Sequence, residues 1–184
     1  MSIDLLRHGE TGQSGFRGQL DDPLTARGWQ QMRTTVAGHE WDRIVSSPLQ
    51  RCAAFARELA ATRRVPLAAD ARLAEYDFGA WSGIPLEHLA ADEGEALAQF
   101  WADPAGHPPP GAETLAAFEM RVEAAVDQLA DEAATQRILI VTHGGPIRLL
   151  RCRAQARPLH EMSTLTVPHA ALTPLMWPPH LKAR

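Results

Sequence analysis

The 184-residue chain carries 18 basic and 22 acidic side chains, for a formal charge of −4, with 45% hydrophobic and 22% charged residues. These values describe a single globular domain over residues 1–184 with a real core. They argue against bulk nucleic-acid or membrane-surface binding, while leaving room for a small basic pocket.

No apolar run approaches the ~20 residues of a membrane span. Met1-Ser2-Ile3-Asp4 lacks the basic and apolar regions of a signal peptide, so a cytoplasmic protein is expected. Cys52 and Cys152 lie in helix-like apolar surroundings without metal-ligand spacing. They read as reduced buried thiols, with a disulfide between them as the alternative.

In chain order, Ile3–Leu6 reads as a buried strand ending in a charged turn. Asp22-Pro23-Leu24-Thr25 opens a helix with Thr25 as N-cap, Trp29, Met32 and Val36 at helical spacing, and Gly38 as its stop. Arg43–Ser46 is a second strand. Ser47-Pro48 then predicts a helix start, serine capping and proline in the first turn, with Leu49, Cys52, Phe55 and Leu59 as the buried stripe. Residues 66–68 suggest a third strand.

The middle of the chain is less periodic. Short helices are expected over residues 86–91 and 95–101, before the stiff loop His107-Pro108-Pro109-Pro110-Gly111. A long amphipathic helix follows, with Leu115, Phe118, Val122, Val126 and Leu129 on one face. Ile138-Leu139-Ile140-Val141 reads as a central parallel strand, and Gly144-Gly145-Pro146 turns it into another helix. Residues 165–167 and 172–176 read as edge strands. Alternating strands and helices imply a three-layer α/β sandwich with a mostly parallel central sheet. Ligands of such folds bind outside the carboxyl ends of the strands.

Three strand-to-turn junctions carry unusual polar residues: Arg7-His8-Gly9-Glu10-Thr11, Ser46-Ser47-Pro48-Leu49-Gln50-Arg51, and Thr142-His143-Gly144-Gly145. Strands lying side by side would bring two imidazoles, two guanidiniums and a helix N-terminus to one edge. That set suits a phosphate dianion, through forked arginine donors and backbone N–H groups. Arg51 stands on the first turn of its helix, where a cation opposes the helix dipole, so an anion held in front of it gives the residue its purpose. Gly144 permits close backbone approach of a ligand.

These three motifs, in this order, resemble those of the histidine phosphatase superfamily, the phosphoglycerate-mutase-like fold. The resemblance runs from about residue 3 to about residue 151 and implies a phosphatase working through a phosphohistidine. It makes His8 the nucleophile and places Arg7, Arg51 and His143 around the phosphate. Within Arg72-Leu73-Ala74-Glu75-Tyr76-Asp77-Phe78-Gly79, it makes Glu75 the proton donor, with Asp77 and Glu10 as runner-up carboxylates. Glu75 would protonate the departing oxygen and then deprotonate the attacking water. Arg7 and Arg51 disfavour an imidazolium at His8, as a nucleophile requires.

No aspartate cluster or His-rich motif is present, so neither metal nor cofactor is expected. Where many members carry an asparagine after the first motif, this chain offers Ser14, Arg17 or Gln19 as substrate contacts.

The blocks Asp77-Phe78-Gly79-Ala80-Trp81-Ser82-Gly83, Phe100-Trp101-Ala102-Asp103-Pro104 and Pro108-Pro109-Pro110-Gly111-Ala112-Glu113-Thr114 resemble those of bacterial α-ribazole-phosphate phosphatases, which act late in cobalamin assembly. Broad-specificity sugar-phosphate phosphatases share these blocks. The expected partner is a small-molecule phosphate ester, with Arg17, Gln19, Trp81 and Glu113 around the selective part of the pocket. Trp81 and Trp101 are either stacking platforms or core aromatics, two roles that exposure separates. A non-catalytic phosphate-binding regulatory module on the same fold is the reading from a different class.

Overall fold

The computed structural model describes residues 2–177. Five strands form one sheet: β1 (Ser2–Arg7), β2 (Arg43–Ser46), β3 (Leu67–Ala69), β4 (Arg137–Thr142) and β5 (Leu172–Leu175), in the order β3-β2-β4-β1-β5. β3, β2, β4 and β1 run parallel to one another, and only β5 is antiparallel, on the outer side of β1. Pro174 lies in that edge strand, where a missing N–H costs no ladder bond.

The strands bury both faces, and the period of two separates the layers. Leu6, Ile44, Leu139 and Val141 pack with Met32 of α1 (Ala26–Val36) and Phe55 of α2 (Gln50–Arg63). Leu5, Val45, Ile138 and Ile140 face the other way. They meet Phe118 and Val122 of α5 (Leu115–Ala130) and Ile147 and Leu150 of α6 (Gly144–Ala154). The short helices α3 (Leu86–Asp92) and α4 (Gly94–Ala102) join this second layer through Leu89, Leu97 and Phe100. The expected three-layer α/β sandwich is the observed one.

Thr25 caps α1 by accepting from the Gly28 amide at 3.0 Å, as its sequence position predicts. Two other expectations need correction. Ser47 does not cap α2, which starts at Gln50. Asp21 from the preceding loop accepts the Gln50 amide at 2.6 Å and takes that role, while the Ser47 hydroxyl accepts from the Leu49 amide before the helix at 3.3 Å. Residues 165–167 form no strand. Their carbonyls accept instead from arginines: Leu165 from Arg148 at 2.8 Å, Thr166 from Arg151 at 3.2 Å and Val167 from Arg7 at 2.5 Å. This segment is a strap, preceded by the 3-10 turn Leu159–Thr164. Cys52 and Cys152 are both buried free thiols, and no described helix is long and apolar enough to cross a membrane.

Candidate active site

The carboxyl ends of β1, β4 and β2 lie side by side. The ladder continues one residue beyond each outer strand: the His8 amide donates to the Thr142 carbonyl at 3.0 Å, and the Ser47 amide to the Val141 carbonyl at 2.9 Å. His8, Ser47 and His143 are therefore fixed by sheet geometry at one edge. The rings of His8 and His143 meet edge to face with centroids 5.2 Å apart.

Hydrogen bonding assigns the tautomers. The Gly9 carbonyl only accepts, so His8 Nδ1 at 2.8 Å carries the proton and Nε2 holds the free lone pair. Burial, reinforced by the charges of Arg51, Arg7 and His169, pushes the His8 pKa down to about 3, although the bond to Gly9 works against this shift. The imidazole is neutral at physiological pH. Arg51 Nε donates to His143 Nδ1 at 3.2 Å, which leaves the proton on Nε2, 2.7 Å from the Ser47 hydroxyl. Burial and the Arg51 charge hold His143 well below the usual imidazole range. Cys52 packs against this ring, and burial pushes its thiol up, so it stays protonated.

Arg51 is 1% exposed. Its Nη1 and Nη2 donate to the carbonyls of Leu20 at 2.5 Å and Gly18 at 2.7 Å, tying the first loop to α2. Arg7 holds the strap through Val167, while its Nε is buried without a partner. Glu75 enters from the loop after β3 and accepts from the Gly145 amide at 3.1 Å, at the N-terminus of α6. A Cβ on Gly145 would collide with this carboxylate, so a side chain there would push Glu75 from its present position. Arg121 organises the Glu75 loop by donating to the carbonyls of Arg72 and Ala74 at 2.7 Å and of Glu75 at 2.8 Å. Glu113 fixes Arg121 from the other side, 2.6 Å away.

Arg7, His8, Arg51, Glu75 and Arg17 line a single cavity of about 420 Å³. The imidazole of His143 lies directly behind its floor. Arg17 is held there by a forked pair with Asp22, both contacts at 2.8 Å. Ser14 and Gln19 are exposed and off the cavity wall, where Gln13 and Thr11 stand instead. Among the described residues, Gln19 reaches the Glu75 carbonyl, at 3.4 Å. Gly144 is buried under the floor, and Gly145 reaches the surface of the cavity.

The runner-up carboxylates are occupied elsewhere. Asp77 accepts from the Gly79 amide at 3.0 Å, and Glu10 faces Arg27 at 3.5 Å. Trp81 is 1% exposed and donates to Glu93, so it is a core residue, whereas Trp101 is 41% exposed and forms part of the wall. Glu113 is engaged with Arg121 and lies off the wall.

Sequence reasoning missed several lining residues. Arg148 of α6 and His169, in the turn after the strap, stand on the polar side, the latter ring 5.7 Å from His8. Phe16, Phe78, Phe100, Leu159 and Met162 join Trp101 on an apolar side. Phe16 stacks on Phe78 with centroids 4.3 Å apart.

An imidazole with a free lone pair on Nε2, a cationic floor and a carboxylate at a helix N-terminus form a set that suits phosphoryl transfer. A family model for the histidine phosphatase superfamily (branch 1) matches residues 3–182, and the chain belongs to that superfamily. It is 31% identical over 168 residues to an adenosylcobalamin/alpha-ribazole phosphatase of Escherichia coli, covering 88% of this chain and 83% of the relative. A phosphoserine phosphatase 1 of Hydrogenobacter thermophilus is 28% identical over 158 residues, 83% of this chain and 75% of the relative. Among solved structures, the alpha-ribazole phosphatase of Shigella flexneri superimposes with a TM-score of 0.81 at 29% identity, over 95% of this chain and 89% of that one. The fold is phosphoglycerate-mutase-like, and family membership supports a phosphatase activity.

Proposed function

We propose that the chain hydrolyses a small-molecule phosphate monoester through a phosphohistidine at His8. His8 Nε2 attacks phosphorus in line with the leaving oxygen while Arg7 and Arg51 stabilise the charge on the transferring group, and His143 orients the Arg51 guanidinium by accepting from its Nε. Glu75 gives its proton to the departing alcohol. It then takes one from the water that attacks the phosphohistidine, which returns the neutral imidazole and releases phosphate. The His8 Nδ1 proton stays hydrogen-bonded to the Gly9 carbonyl throughout, presenting Nε2 in the reactive tautomer.

Positive charge for the phosphoryl group comes from the guanidiniums, so the reaction runs without a metal ion. Exhaustive chelation should leave turnover within about twofold of its starting value. Activity lost on chelation and restored by Mg²⁺ or Zn²⁺ would place a metal in the mechanism.

For substrate we infer a phosphate ester with a bulky, flat apolar group, α-ribazole 5′-phosphate being the best match. One observation carries this: the cavity floor is cationic, but the wall leading from it is built of Phe16, Phe78, Phe100 and Trp101. Such a wall gains more from a planar ring than from a compact, hydroxyl-rich sugar. The α-ribazole phosphatases among its relatives point the same way.

A panel of α-ribazole 5′-phosphate, 3-phosphoglycerate, phosphoserine and simple sugar phosphates tests it. The expected kcat/KM is about tenfold or more higher for α-ribazole 5′-phosphate, roughly 1.4 kcal/mol of transition-state binding. Comparable values across the panel would mean a broad-specificity phosphatase. Absence of turnover on any ester would favour the regulatory-module reading.

A further inference from the structure

Several partly buried arginines outside the cavity floor are neutralised: Arg17 by Asp22, Arg121 by Glu113, Arg153 by Glu119 and Glu123, and Arg157 by Glu161. The inner cavity arginines are different. Arg7, Arg51 and Arg148 touch only backbone carbonyls and an imidazole, with no carboxylate partner among the described residues. Arg148 is the one that no motif marks. It lies four residues after Gly144 on α6, on the same face of the helix. Its Nε donates to the Leu165 carbonyl at 2.8 Å, and its terminal nitrogens have no bond among the described residues.

A Cβ on Gly144 would stand 2.8 Å from Arg148 Nη1 and 3.5 Å from Arg7 Nε, so the two guanidiniums converge over one glycine. The Arg7 Nε at this point is buried and unpartnered. Burial pushes the Arg7 guanidinium below its usual range, Glu75 opposes the shift, and Arg148 adds to it ahead of Arg51. Like charges held together in a half-buried site repel one another, and an anion between them removes the cost.

We propose that Arg148 is a third guanidinium of the phosphoryl cradle, donating its terminal N–H groups to the phosphoryl oxygens held by Arg7 and Arg51. The proposal rests on the phosphatase reading above. Three guanidiniums converging on the floor supply the positive charge that a phosphate dianion calls for. The glycine at position 144 acquires a reason as well: any side chain there would displace Arg148 from the floor.

Arg148 also fastens the strap, and Arg151 separates the two roles. Arg151 bonds the adjacent Thr166 carbonyl but does not line the cavity. The measurement is the inhibition constant of inorganic phosphate against hydrolysis of 4-nitrophenyl phosphate. Arg148→Met should raise it by about fivefold or more, Arg148→Lys should recover part of the loss, and Arg151→Met should change it by less than about twofold.

Arg148→Gln, which keeps a donor for the Leu165 carbonyl, is made in parallel in case the methionine variant fails to fold, and the same fivefold criterion applies to it. A smaller rise in the Arg148 variants, or an equal rise in Arg151→Met, overturns the proposal. An unchanged phosphate constant with a raised KM for a bulky ester also overturns it, placing Arg148 against the rest of the substrate. Failure of the phosphatase reading shows separately, as wild-type protein that neither hydrolyses the ester nor responds to phosphate, and then both fall.

Discussion

Replacing His8 with alanine should lower kcat/KM by roughly four orders of magnitude or more, on good and poor leaving groups alike. The size reflects covalent catalysis. Without Nε2 there is no phosphoenzyme, and a water in the vacated space would be neither held nor deprotonated by a dedicated partner. The variant should still fold, because His8 contributes one ring bond to its neighbour Gly9, while the backbone ladder through Thr142 remains. It should also still bind inorganic phosphate, since the cationic floor is left intact. A variant that keeps a tenth of the activity would show that His8 is not the nucleophile.

Glu75→Gln should produce the second largest effect, and its signature is selectivity between leaving groups. Alkyl phosphates leave as strongly basic alkoxides and need the proton. Their turnover should fall by about 10²–10⁴-fold. With 4-nitrophenyl phosphate, whose leaving group is stable as an anion, the loss should be about tenfold or less in single-turnover measurement of phosphoryl transfer. Gln preserves the shape of the side chain and an oxygen for the Gly145 amide, so a packing defect should not mimic this pattern. Equal losses on both classes would transfer the acid role to another carboxylate.

The strand-end motifs were legible because a parallel strand restricts the turn at its carboxyl end. Such a turn has few places to put a charged side chain, so Arg7-His8, Ser47 and His143 read as one cluster from the amino acids alone. The unbroken apolar run Ile138–Val141 likewise announced a sheet buried on both faces.

The hidden features were assembled from distant segments. Nothing local shows that Asp21 caps α2, and the Ser47 hydroxyl, which resembles a cap in the sequence, meets the Leu49 amide and His143 rather than an amide of the helix. The apolar wall joins Phe16, Phe78, Phe100 and Met162, which share no periodicity because they come from loops and short helices. Arg148 looks like an ordinary helix arginine. Its signal was the spacing from Gly144, which stacks it over a missing side chain one helical turn back. The strap misled for a related reason: its apolar alternation suggests a strand, but arginine side chains take the carbonyls that a neighbouring strand would use.

Trapping the phosphoenzyme is the measurement closest to the central claim. Wild-type protein is mixed with a phosphate ester, quenched within one turnover under alkaline conditions and digested, and the peptides are sequenced by mass spectrometry. The phosphoryl group should be found on the peptide containing His8, in a linkage stable to base and labile to acid, and it should be absent from the His8→Ala variant. Phosphate on another side chain, or turnover with none trapped on the protein at any time point, would contradict the account.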